Sequence, residues 1–188
     1  MTRRTAQIAA AIVLVAIVAW GGTRVLERLI DPRGRTGIAP ATVTADTPHI
    51  QATFFYATTD GLSLIAVRRD VPLEANAVAQ GRVILTQQLQ PAPAPYVSVV
   101  PAGTTLRGFY VTDRGDAFVD LSREASAAHP GGSFLELLTV QAIVQSVTSS
   151  LPSARRVQIL IDGKEVDTLA GHVDLRRPIA PDPSVVRR

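Results

Sequence analysis

Between Gln51 and Ile179 the apolar positions switch between a two-residue and a three-to-four-residue spacing, and each switch marks an element. Gln51–Ala57 and Leu62–Arg69 are rich in Phe, Tyr, Val and Ile and flank Thr59-Asp60-Gly61, which predicts a β-hairpin. Val78, Leu85 and Leu89 then fall on one helical face, and the series Pro91, Pro93, Pro95 ends that helix, with Gly81 a weak point inside it. Leu106–Val111 and Phe118–Leu121 form a second hairpin turning at Asp113-Arg114-Gly115. The strongest helical signal follows. Leu137, Val140, Val144, Val147 and Leu151 step along one face, Ser133 and Glu136 have capping-box spacing, and Pro152 closes the run. Val157, Ile159 and Ile161 then alternate with Gln158, Leu160 and Asp162. Asp162-Gly163 suits a tight turn into a shorter return strand carrying Val166 and Leu169.

The order β-β-α-β-β-α-β-β predicts an α+β domain: an antiparallel or mixed sheet of hairpins with two helices packed on one face. Outside it the pattern is different. Thr5 to Thr23 is a run of 19 residues without charge. As a helix it would measure roughly 28 Å, close to the apolar thickness of a bilayer. Arg3 and Arg4 precede it and Trp20 lies near its far end, which places the N-terminus in the cytoplasm and the rest of the chain outside. A cleaved signal peptide is the alternative, but its best cut would follow Ala19, and Ile17 is a poor residue for the third place before it. The expected organisation is a transmembrane anchor over 1–23, a juxtamembrane segment and Pro/Gly-rich linker over 24–50, a folded domain over 51–179, and a disordered tail over 180–188.

Charge and composition remove several function classes. The net charge is +3, yet residues 50–179 carry 11 Lys and Arg against 12 Asp and Glu. The excess sits in the flanks, so no basic stripe is available to track phosphates and no nucleic-acid partner is expected. The chain has no cysteine, which excludes disulfides, thiol chemistry and a lipid-modified cysteine anchor. The three histidines, His49, His129 and His172, have no metal-ligand spacing, and no nucleophile elbow, dinucleotide loop or phosphate loop occurs. Asp113, Asp116 and Asp120 supply too few oxygens for calcium, with Arg114 among them. No cofactor, metal or catalytic residue is expected. Two pairs remain as candidate ligand or interaction residues. Arg155 and Arg156 offer a small anion site, and His172 with Asp174 offers a His oriented by a carboxylate two residues on.

The residues of the second half resemble a known family. Glu136 lies in a helix that leads to Leu151-Pro152, Val157-Gln158-Ile159-Leu160-Ile161-Asp162-Gly163-Lys164, Thr168-Leu169, Gly171-His172, Asp174-Leu175 and Pro178-Ile179. This run looks like the end of the GerM-type (GerMN) domain. Upstream, "FFYATTDGLSLIAVRRDVP" is similar to the family's opening hairpin and "VPAGTTLRGFYVTDRGDAFVDLS" to its second. The helix–hairpin–helix–strand order from Glu74 to Asp162 is also similar to ring-building motifs of secretion systems and spore-channel proteins. The resemblance spans 51–179 and implies a noncatalytic extracytoplasmic domain of the bacterial cell envelope. Its implied role is protein interaction or assembly, with envelope proteins or further copies of the chain as partners. A module binding the cell wall or a small ligand is the alternative.

Overall fold

The computed structural model describes residues 48–187. The expected anchor and nearly all of the expected linker lie outside these residues. Among the described residues no helix is long and apolar enough to cross a membrane.

The α+β class and the order of hairpins and helices follow the sequence reading, but the strands divide into two sheets. β1 (His49–Ala57) and β2 (Leu64–Pro72) pair antiparallel from His49↔Pro72 to Ala57↔Leu64. Pairing thus begins two residues earlier than predicted, inside the expected linker. β3 (Leu106–Val111), β4 (Asp116–Leu121), β5 (Arg156–Ile161) and β6 (Lys164–Glu165) form a mixed sheet in the order β3-β4-β5-β6. β4 and β5 are parallel, from Asp116↔Arg156 to Leu121↔Ile161. A parallel pair needs a crossover, and helix α3 (Ser133–Ser150) supplies it, with a short α2 (Glu124–Ala127) before it.

α3 packs against both β1 and β5, and α1 (Ala77–Gln88) packs against β3 and α3. Ala52, Phe54 and Tyr56 of β1 point into the larger core with Ile84, Phe109, Val119, Val144 and Ile159. Phe55 and Ala57, of opposite parity, enter a smaller core with Leu64, Leu138 and Ala142. α3 separates the two cores and is buried on every side from Leu138 to Val147, as a helix without a solvent face must be.

Why does β1 stop at one partner? Its outer edge is already closed by side chains. Thr53 N–H donates to Ser150 Oγ at 2.9 Å, and Phe55 N–H donates to Gln88 Oε1 at 3.0 Å. Gln88 Nε2 returns a bond to Phe55 O at 2.8 Å, and Ser146 Oγ steadies Gln88 Oε1 at 2.6 Å. Ala57 and Val97 exchange backbone bonds at 2.9 and 3.0 Å. Buried backbone groups need partners, and here helix termini provide what a third strand would have provided.

Three local expectations change. Val78 faces outward, because the buried face of α1 runs through Gly81, Ile84, Leu85 and Gln88. Gly81 is a seat for the β3 ring: an added Cβ would lie 2.1 Å from Phe109 Cε1. The return strand after Asp162-Gly163 holds only Lys164–Glu165, although both turn residues take positive φ as expected (50° and 76°). Finally, residues 180–187, expected as a disordered tail, are ordered against α3 and β2. Val185 is buried there, Val186 bridges Leu64, and Arg187 N–H donates to Leu64 O at 2.7 Å. Two buried glutamines on α3 hold their backbone, a contact that composition cannot reveal.

Candidate functional site

Glu136 is the most unusual polar residue of the domain. It sits in the first turn of α3 and is fully buried. The predicted capping box does not form. Gly132, with φ 88°, precedes the helix without a side-chain cap, and Glu136 turns inward. Its Oε1 accepts from Leu169 N–H and Ala170 N–H, both at 2.9 Å. Its Oε2 accepts from His172 N–H at 2.9 Å and lies 3.1 Å from His172 Nδ1. Burial pushes this carboxyl up, but the N–H groups of Ala170, Val173, His172 and Leu169 outweigh it and hold the acid below its ordinary range. A carboxylate saturated by donors and held ionised is a poor proton donor. Its work is mechanical: it hangs the segment after β6 on α3.

His129 forms a second, half-buried relay beside it. Gly131 N–H donates to His129 Nδ1 at 3.0 Å. The neutral ring therefore carries its proton on Nε2, 3.1 Å from Thr139 Oγ1. The Thr139 hydroxyl donates onward to Val99 O at 2.7 Å. Burial lowers the His129 pKa, with the Glu136 charge opposing that shift.

Of the four candidate residues from the sequence, His172 and Asp174 line one small cleft of about 150 Å³ with Asp167, Thr168 and Arg176, but they do not bond to each other. His172 is held by Glu136, whereas Asp174 turns to Arg176, accepting from its Nε at 2.9 Å, its Nη2 at 2.8 Å and its backbone N–H at 3.0 Å. Those bonds hold the Asp174 carboxyl well below the usual range. The imagined His172–Asp174 orientation is absent because i and i+2 share a face only on a strand, and this segment is a loop. Arg156 is committed to Asp116 Oδ1, at 2.9 Å from Nε and 2.8 Å from Nη2. Arg155 packs its stem over Gly115 and lines an open cleft of about 620 Å³ with Arg114, Asp113, Thr112 and Ser153. Among the described residues no group of three or more His, Cys, Asp or Glu could hold a metal ion.

Two features escaped the pattern of the sequence. One is the destination of Glu136; an acid within an otherwise apolar helical run was the available signal. The other is the outer edge of β3. The Thr112 N–H to Asp116 O bond (3.0 Å) fixes which strand positions face β4. Alternation then turns the Phe109 and Val111 backbone groups outward. Among the described residues these groups have no hydrogen-bond partner on that side, but Phe109 is wholly buried, so the edge meets solvent only towards Val111. Tyr110, 63% exposed, stands between them.

No curated protein matches the chain in sequence. Among solved structures it is similar to a chain assigned as a lipoprotein from Clostridium perfringens, at 22% identity and a TM-score of 0.52, over 70% of this chain and 87% of that one. It is also similar to the tandem GerMN domains of the sporulation protein GerM from Bacillus subtilis, at 20% identity and a TM-score of 0.53, over 71% of this chain and 45% of that one. At these identities the likeness establishes the fold. The Germane family model, described as "Sporulation and spore germination", matches residues 53–167, the span from β1 past the short β6. The chain belongs to the Germane family of sporulation and spore germination domains.

Proposed function

We propose that the chain is a membrane-tethered extracytoplasmic domain that works as a noncatalytic protein-interaction or assembly module of the bacterial cell envelope. The observation that carries this reading is the contrast between its edges. β1 is closed by Gln88, Ser150 and Val97, and β5 by β6 and Ile179, while β3 has no partner strand on its outer side and, with Phe109 buried, reaches solvent through Tyr110 and Val111. Open edges are usually blunted, because they template pairing with another chain. One left with an aromatic side chain is a natural docking edge for a partner strand. The buried polar groups Glu136, Thr139 and Gln88, with the half-buried His129, support the noncatalytic part of the reading: all are spent on holding segments in place. The uncharged run Thr5–Thr23 behind Arg3 and Arg4 supports the tether and the outward orientation.

Crosslinking in native membranes, followed by identification of the captured proteins, tests the reading. Tyr110→Asp should abolish capture while leaving the melting temperature unchanged. Capture that survives this substitution would move the interface elsewhere. A C-terminal reporter active only in the cytoplasm should stay silent, and a strong signal would overturn the orientation. A second reading, a module binding an anionic cell-wall or small ligand, is favoured by the cleft beside Arg114 and Arg155. Under that reading Arg155→Ala abolishes the biological effect and Tyr110→Asp does not.

A further inference from the structure

Residues 180–187 lie beyond the stretch matched by the family model, and they sit on the domain as a bound peptide would. Two glutamines one turn apart on α3 read their backbone. Gln141 Oε1 accepts from Asp182 N–H at 2.9 Å, and its Nε2 donates to Ala180 O at 3.3 Å. Gln145 Nε2 donates to Asp182 O at 2.8 Å. Both amides are buried, 3% and 7% exposed, and among the described residues these are the only bonds they make. A buried amide without partners is costly, so this face of α3 is built for an extended chain to lie on it.

The rest of the segment adds anchors. Asp182 Oδ1 accepts from Ser184 N–H at 2.9 Å and starts the 3₁₀ turn Pro183–Val185. That turn drives Val185 into the smaller core beside Leu64, Leu138 and Ala142. Val186 then pairs parallel with Leu64, and Arg187 Nη2 meets Asp60 Oδ2 at 3.2 Å. Backbone recognition by fixed amides, one apolar anchor and one strand-like bridge are the elements of a peptide-binding groove.

We propose that this groove is exchangeable, and that the occupant it takes in trans is the 180–187 segment of a second copy of the chain. Three observations favour that occupant. The fit is specific to this segment, through the Asp182 turn, the Val185 anchor and the Arg187–Asp60 pair, and a second copy carries the same residues. The C-terminal region also divides cleanly. Residues 167–179 are fastened separately, by Glu136 and by the Val157–Ile179 pair, so residues 180–187 can leave without disturbing them. Those residues bury one apolar side chain in the core, which puts their opening at the low end of local unfolding free energies. Every contact broken in cis is remade in trans, the condition for exchange of an identical element between protomers. That such exchange links copies into assemblies rests on the interaction role proposed above; the exchange itself rests on the groove.

The chain has no cysteine, which makes the test direct. Leu64 and Val186 are bridge partners, and neighbouring strands lie about 4.8 Å apart, within disulfide reach. A tagged full chain carrying Leu64→Cys and an untagged one carrying Val186→Cys are mixed in mild detergent and oxidised. A mixed disulfide is expected. It should fall with excess synthetic peptide 179–188, which competes for the same groove. A second measurement needs no cysteine. In the full chain, Val185→Asp expels the resident segment, and fluorescein-labelled peptide 179–188 should bind this variant about tenfold more tightly than the wild type, since the groove is no longer occupied. The inference is overturned if the Leu64→Cys/Val186→Cys double variant closes in cis while no mixed disulfide forms and the peptide fails to bind Val185→Asp. If Leu64→Cys destabilises the chain, the peptide measurement decides alone. Tyr110→Asp should leave the mixed disulfide intact, so failure of the β3 surface and failure of the 180–187 exchange are read separately.

Discussion

The two sheets of this domain solve the same problem in opposite ways. In the two-stranded sheet, β1 lies between two cores, and its outer edge is sealed by Ser150, Gln88 and Val97. In the four-stranded sheet, the β5 side is covered by β6 and by Ile179 of the segment hung from Glu136, while β3 at the other side keeps its outward backbone groups unpaired among the described residues. An unpaired backbone group costs free energy only where water cannot reach it. β1 is deep and had to be closed. β3 lacks a partner strand although Phe109 is buried, and it meets solvent only at Tyr110 and Val111.

That comparison fails first if the sealed edges can be opened cheaply. Glu136→Gln puts an amide donor where a saturated carboxylate accepts three backbone N–H groups, and should cost about 3 kcal/mol, the scale for bonds to a charged acceptor. Chemical denaturation checks it, and a loss below about 1 kcal/mol would show that the segment needs no carboxylate. Gln88→Leu removes both side-chain bonds from Phe55 and should cost about 2 kcal/mol, the penalty for buried groups left unsatisfied. Hydrogen exchange should show the Phe55 amide losing protection well before its neighbours in β2.

The pH dependence sharpens the same point. The His129 pKa is lowered on folding, so the folded state prefers the neutral ring. Its stabilising contribution is present above the ordinary pKa of about 6.5 and is lost as pH falls below it. The Glu136 pKa is also lowered, from 4.5; its contribution is present above that value and lost on further acidification. Melting temperature should therefore decline in two stages on the acid side. His129→Gln should remove the upper stage and Glu136→Gln should shrink the lower, to which the exposed Asp60, Glu124, Asp174 and Asp182, also shifted down, contribute the rest. The smallest effect belongs to the open edge. Tyr110→Ser should change stability by less than about 0.5 kcal/mol, as for a surface substitution, yet reduce partner capture. A loss of stability comparable to that of Gln88→Leu would show that β3 is covered after all.

Much of this architecture is decided locally and is legible in the residues. Asp162-Gly163 and Asp113-Arg114-Gly115 turn where their conformational freedom allows, and the change from a two-residue to a three-to-four-residue period locates both long helices. The family-like ending from Glu136 to Ile179 is legible too. What tertiary structure decided lies where one residue has two competing uses. Gly81 reads as a flaw in a helix until the Phe109 ring occupies the space of its missing side chain. Glu136 has the spacing of a cap, but three distant N–H groups outbid the one at the helix start. Gln88, Gln141 and Gln145 look like solvent-facing polar residues, and they became the partners of β1 and of residues 180–187. Periodicity reports which side chains avoid water. It carries no information on which buried polar group will meet which backbone amide, because those partners are 33 to 41 residues apart in the chain and come together only once both cores have formed.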